Sequence, residues 1–145
     1  MISYRPSFPD DGERVVEIWR RAVDATHDFL KPEDRVAIEA EVLAFLPTAP
    51  MWLAVDDADV AVAFMLLDGA HMQALFVDPE HRGTGVGRTL VALALATRPS
   101  LTTDVNEQNV QAVGFYERIG FSVTGRSPVD GQGRAYPLVH LRKDG

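Results

Sequence analysis

The chain has no cysteine. That excludes disulfides, thiolate metal sites and a covalent acyl-cysteine intermediate. It has no basic excess either: 14 Lys and Arg stand against 21 Asp and Glu, for a net charge of −7. A nucleic-acid binder needs a basic face to neutralise phosphates, so no nucleic acid is expected, while a cationic or amine substrate fits the charge. Histidines number only 4, none at metal-ligand spacing, so no metal is expected. Apolar runs are short: Leu90 to Ala96 is far too brief to span a bilayer, and Met1 to Pro6 lacks the apolar core of a signal peptide. The expectation is a cytoplasmic protein with no membrane partner. Repeats, linkers and low-complexity segments are also missing, and 145 residues suit a single domain over 1–145.

What is present is concentrated between His71 and Leu90, reading H-M-Q-A-L-F-V-D-P-E-H-R-G-T-G-V-G-R-T-L. Met72 to Val77 reads as a buried strand, and Asp78-Pro79 ends it. Val86, Leu90 and Leu93 then recur at helical spacing, so a helix begins inside the glycine run. A helix N-terminus presents unpartnered N–H groups and partial positive charge. Glycines let an anion approach the backbone, and Arg82 and Arg88 add full charge at both ends. The combination is a cradle for phosphate or diphosphate. Gly83, Gly85 and Gly87 alternate, which does not fit the dinucleotide fingerprint G-x-G-x-x-G. No lysine is there to make a P-loop. The spacing left is R-x-x-G-x-G, from Arg82, Gly85 and Gly87.

The rest of the chain reads as follows. A short strand over Met1 to Ser7 precedes a helix capped by Asp10 and marked by Val15, Ile18, Trp19 and Ala22, which fades from Asp24. Pro32 opens a second helix whose expected buried stripe is Val36, Ala40 and Leu43. Met51 to Val55 and Val60 to Leu67 form a hairpin around Asp56 to Asp59. The central strand follows, then the glycine turn and a helix to about Thr97. Leu101 to Val105 is a strand. Asn106 caps a helix with Ala112, Phe115, Tyr116 and Ile119 on one face, and Gly120 ends it in a left-handed conformation. Phe121 to Gly125 and Ala135 to Leu141 are the last strands, joined by a tip over Arg126 to Arg134 that reads as mobile. The order β-α-α-β-β-β-α-β-α-β-β gives an α+β (mixed α/β) domain, with four helices and a mixed sheet of about six to seven strands.

Two stretches resemble the signatures of the GNAT superfamily of N-acetyltransferases. The first is R-x-x-G-x-G at Arg82, Gly85 and Gly87. The second is N-x-x-A-x-x-x-Y-x-x-x-G-F at Asn109, Ala112, Tyr116, Gly120 and Phe121. The order of elements is also similar to that family, and the resemblance is closest to its small single-domain bacterial members. It implies an acetyl-CoA-dependent N-acetyltransferase in which an amine attacks the thioester directly. It further implies that the thioester lies between two splayed parallel strands, ending near Val77 and Val105. Leu75, Phe76 and Val77 would hold the pantetheine arm. Arg82, Gly83, Thr84, Gly85, Val86, Gly87 and Arg88 would hold the pyrophosphate, with Asn109 and Tyr116 completing the cofactor site.

The resemblance puts Tyr116 at the position of the acid that protonates the departing thiolate; its other reading is a core aromatic. The base is open. A lysine-like amine ionises about three units above neutral pH, so deprotonating it costs on the order of 4 kcal/mol. His71 and Gln73 share one face of the central strand, and His71 is the candidate because an unperturbed imidazole titrates near neutrality; its other reading is a solvated strand-entry residue, and a water chain could serve instead. His140 reads as structural and His81 as facing solvent at the loop edge. Asp24, His27 and Phe29, between the first two helices, are the expected acceptor-binding residues, with capping and packing as alternatives. The acceptor is a small-molecule or peptide amine, and the chain a monomer or homodimer. The remaining alternatives are a module that binds acyl-CoA without transferring it, and an acyltransferase with another donor or acceptor.

Overall fold

The computed structural model describes residues 1–145. Strands β1 (Ser3–Pro6), β2 (Trp52–Val55), β3 (Ala61–Asp68), β4 (His71–Val77), β5 (Ser100–Asn106), β6 (Ser122–Ser127) and β7 (Leu138–Asp144) alternate with helices α1 (Gly12–Thr26), α2 (Pro32–Phe45), α3 (Val86–Leu95) and α4 (Val110–Arg118). The seven strands form one sheet in the order β1-β2-β3-β4-β5-β7-β6. It is mixed: β4 and β5 are parallel, while β1–β2, β2–β3, β5–β7 and β6–β7 are antiparallel. No helix is long and apolar enough to cross a membrane. The chain packs as two compact units, Met1–Leu66 with Ala74–Leu90, and Leu67–Gln73 with Val91–Gly145.

In the first unit α1 turns Val15, Ile18, Trp19 and Val23 onto Leu53, Val55 and Phe64 of the sheet, the inward stripe that its spacing predicts. The start of α1 sits against the Leu46–Thr48 turn, where a Cβ on Gly12 would lie 2.7 Å from the Pro47 carbonyl oxygen; only glycine allows that approach. Asp11, not Asp10, stands at the α1 N-cap position, and its carboxylate is gripped at both oxygens by Arg5 at 2.9 Å. The helix keeps its last turn to Thr26.

The expected stripe of α2 is wrong. Val36 is 70 % and Leu43 46 % exposed, and Ile38 and Val42 pack on the core instead. Apolar residues surround this helix, so periodicity alone does not choose its inward face. Arg35 does: its guanidinium lies 4.8 Å from the Trp19 ring centre and bonds Asp24 and Glu39. A cation over an indole face is an attractive contact that fixes the rotation of the helix.

In the second unit β5 and β7 pair along their whole length, from Ser100↔Asp144 to Asn106↔Leu138. The β4–β5 ladder pairs only His71↔Thr102 and Met72↔Thr103. Alternation along these strands separates two faces. Met72, Leu101, Thr103, Val105, Val139 and Leu141 are buried on one, together with Tyr116 and Phe121. His71, Thr102, Asp104, His140 and Ser127 occupy the other by the same register. Helix α3 ends at Leu95, where Arg98 caps the Ala94 carbonyl; Val86, Gly87, Leu90, Val91 and Ala94 are its buried residues and Leu93 is exposed. The last strands lie further along the chain than expected. Between them Asp130 Oδ1 accepts the amides of Gln132 and Arg134, at 2.9 and 2.8 Å, so the tip is an ordered turn.

Candidate active site

The glycine turn belongs to the first unit. Asp78 ends β4 and caps the short turn Pro79–His81 by accepting the Glu80 amide at 3.1 Å. Its carboxylate is 1 % exposed and takes Arg14 Nη2 at 2.6 Å and Arg21 Nη1 at 2.9 Å. Burial pushes this carboxyl up, but the Glu80 amide and the two guanidiniums outweigh it and hold it below the usual range. The turn is thus clamped to α1 before the glycines begin. Gly83 and Gly85 take φ of +74° and +86°, a region closed to most side chains. The first helical bond inside α3 runs from the Thr89 amide to the Gly85 carbonyl at 3.0 Å. The amides of Val86, Gly87 and Arg88 therefore sit in the first turn with no partner within the helix. Gly83, Thr84, Gly85 and Arg88 are exposed, Arg82 is half-buried, and Val86 and Gly87 are buried. Thr84 Oγ1 donates to the His81 carbonyl. Contrary to expectation His81 is half-buried, and its Nδ1 is enclosed without a partner.

Leu75, Phe76 and Val77 are half-buried, and Phe76 stacks on Phe64 at 5.5 Å as part of the core. The three acceptor candidates also lie in this unit. Asp24 Oδ1 accepts a hydrogen bond from Arg35 Nε at 3.0 Å. His27 ends α1, with its ring 5.2 Å from Phe29 and its Nδ1 2.8 Å from Thr26 Oγ1. Burial lowers its pKa, which Asp28 partly opposes.

Asn109 and Tyr116 lie in the second unit. Asn109, not Asn106, caps α4 by accepting the Ala112 amide at 3.2 Å, while Asn106 forms a tight turn to Gln108. Tyr116 is 6 % exposed, with Phe115 and Phe121 edge-on at 5.1 and 5.2 Å. Its phenol hydrogen-bonds the Thr103 side chain. Thr103 Oγ1 also donates to the Met72 carbonyl at 2.9 Å. Burial pushes the phenol far above its ordinary pKa, with Thr103 opposing the shift.

His71 lies on the opposite face from Tyr116, with Nδ1 2.8 Å from Thr102 Oγ1 and Nε2 3.5 Å from Asp104 Oδ2. The second distance is beyond a good hydrogen bond, so Nε2 is loosely held. Gln73 is exposed, one residue past the last β4–β5 pair. Asp104 also takes His140 Nδ1 at 2.6 Å, and His140 Nε2 reaches Ser127 Oγ at 2.6 Å. Thr103, Asp104 and Ser127 were not foreseen as partners, because strand spacing shows which face a residue occupies but not its register. No group of three His, Asp or Glu is placed to hold a metal.

Residues 20–138 match the family model described as an acetyltransferase (GNAT) domain. The chain belongs to the GNAT family. Two relatives support this over nearly their full length. Peptidyl-lysine N-acetyltransferase YjaB of Escherichia coli (strain K12) is 59 % identical over 97 % of this chain and 96 % of its own. Its namesake from Salmonella typhimurium is 57 % identical over 97 % of each. The solution structure of apo-form YjaB from Escherichia coli superposes with a TM-score of 0.94 at 58 % identity, covering 98 % of this chain and 97 % of that one. This GNAT chain is an N-acetyltransferase.

Proposed function

We propose that this GNAT chain moves the acetyl group of acetyl-CoA to the side-chain amine of a lysine in a peptide. The observation that carries the reading is the burial of the Tyr116 phenol, at the signature position of a chain 59 % identical to a peptidyl-lysine N-acetyltransferase. In this reading the amides of Val86, Gly87 and Arg88, with the Arg82 and Arg88 side chains, hold the diphosphate. Gly83, Thr84 and Gly85 leave room for it, Leu75, Phe76 and Val77 line the pantetheine path, and Asn109 holds the start of α4. This reading puts the chain in the cytoplasm, where acetyl-CoA is available.

The lysine ammonium must first lose a proton, at a cost on the order of 4 kcal/mol at neutral pH. His71 Nε2 takes it, with Asp104 beside the imidazolium that results and Gln73 beside the amine. The free amine attacks the thioester carbonyl, and the C–S bond breaks. Tyr116 lies on the other face of the strands and donates a hydrogen bond to the sulfur. Its raised pKa makes complete proton transfer to a thiolate uphill, since a thiol ionises near 8.5. The phenol therefore acts chiefly by stabilising the charge as it develops, and solvent completes the protonation. The second oxygen of Asp24 and the stacked rings of His27 and Phe29 contribute to holding the acceptor.

The test is a free-thiol assay with acetyl-CoA against lysine peptides and free small-molecule amines. Lysine peptides should show the higher kcat/KM, with the acetyl group on Nε by mass spectrometry. Faster turnover of a small amine would replace the peptide acceptor. CoA release from no amine would favour an acyl-CoA-binding module.

A further inference from the structure

Ser127, His140 and Asp104 stand in a line on three neighbouring strands. Asp104 and His140 are direct cross-strand partners on β5 and β7. Opposite His140 on β6 stands Gly125, and a Cβ there would lie 3.6 Å from His140 Cδ2. With no side chain at 125, Ser127 reaches His140 on the diagonal. Nδ1 sits 2.6 Å from a carboxylate oxygen, so in the neutral ring Nδ1 carries the proton. Nε2 is then the lone pair, and it accepts from Ser127 Oγ at 2.6 Å. The carboxylate orients the imidazole, and the imidazole is aimed at a hydroxyl. That is the relation of orienter, base and nucleophile in acyl-transfer triads, which are recognised by geometry and not by chain position. The other titratable groups on this face are His71, on the second oxygen of Asp104, and Arg142, whose guanidinium is on Asp144. His140 is 33 % and Asp104 38 % exposed, and β6 is the edge strand, so the line is open to solvent.

We propose that Ser127 is a nucleophile activated by His140 and Asp104, which accepts an acyl group from an activated ester and passes it to water. Ser127 Oγ attacks the ester carbonyl while His140 Nε2 takes its proton. The C–O bond to the alcohol breaks, and the alkoxide leaves with that proton. Water then attacks the acyl-serine, His140 takes a proton from it, and Ser127 regains its hydrogen. Ester and water become acid and alcohol, with no other reactant. A positioned base is worth roughly 10²- to 10⁴-fold, so slow turnover with an accumulating acyl-enzyme is expected. This hydrolysis needs neither acetyl-CoA nor an amine, so its failure leaves the proposed amine acetylation untouched.

The probe is p-nitrophenyl acetate, without acetyl-CoA. The intact chain should give a burst of nitrophenolate equal to the enzyme present, with acetyl on the peptide containing Ser127. Ser127→Ala and His140→Ala should each lower the burst rate by roughly 10²-fold, with circular dichroism unchanged. A burst that survives in Ser127→Ala, or acetyl on another residue, overturns the proposal. A second variant guards against misfolding. The chain has no cysteine, so Ser127→Cys introduces its single thiol. Alkylation by iodoacetamide should follow an apparent pKa below the ordinary value of about 8.5, and His140→Ala in that background should restore it. An ordinary thiol profile in Ser127→Cys also overturns the proposal.

Discussion

At Tyr116 the proposed chemistry meets the packing of the second unit, where the ring lies edge-on to Phe115 and Phe121. Its phenol is pushed well above an ordinary tyrosine, first by burial. The folded chain thus holds this proton more tightly than the unfolded chain, whose phenol ionises near 10. The stabilisation this represents is complete below pH of about 10 and is lost as pH rises from there toward the raised value. Urea unfolding between about pH 9 and 11 should show wild type weakening by up to about 1.4 kcal/mol per unit more steeply than Tyr116→Phe. Parallel profiles would mean that the phenol is not buried as described. The sequence made Tyr116 visible through its signature, with Phe115 beside it about 100° around the helix. Thr103 was invisible, because its tie to Tyr116 depends on how α4 lies on the sheet. The partner of His140 was invisible for a related reason: strand spacing does not show that Asp104 is its cross-strand neighbour.

At the level of elements, the strand–turn–helix unit from β4 to α3 was the most legible part of the chain, because glycine spacing and helix phase are local. The clamp that holds it was not legible. Arg14 and Arg21 reach Asp78 from α1, across more than fifty residues of chain. Asp78→Asn keeps the capping oxygen and removes the charge, and should cost about 1.5–3 kcal/mol in urea unfolding; an unchanged midpoint would show the ion pairs to be idle. Arg88 is exposed at the far end of the turn. Arg88→Ala should weaken acetyl-CoA binding roughly 10- to 100-fold by calorimetry, the worth of one charge-assisted contact. Undiminished affinity would move the diphosphate off this turn. Helix α2 failed for a physical reason too. Val36, Ile38, Val42 and Leu43 allow more than one inward stripe, and the contact of Arg35 with Trp19 decides between them.

At the scale of the molecule, the order of elements was read correctly and the seven-stranded mixed sheet agrees with it. Elements were legible because each announces itself over a few residues, whereas strand register and side-chain partners depend on residues far apart. The near full-length likeness to YjaB joins the two scales: a shared fold and a shared acetyltransferase family. The account stands or falls on whether acetyl transfer to an amine depends on the Tyr116 hydroxyl. Tyr116→Phe keeps the ring and its contacts with Phe115 and Phe121, so acetyl-CoA binding should stay near wild type. Single-turnover acetylation of a lysine peptide, which is independent of product release, is the direct measurement. The account predicts a fall of roughly 10- to 1000-fold; acetylation at the wild-type rate would contradict it.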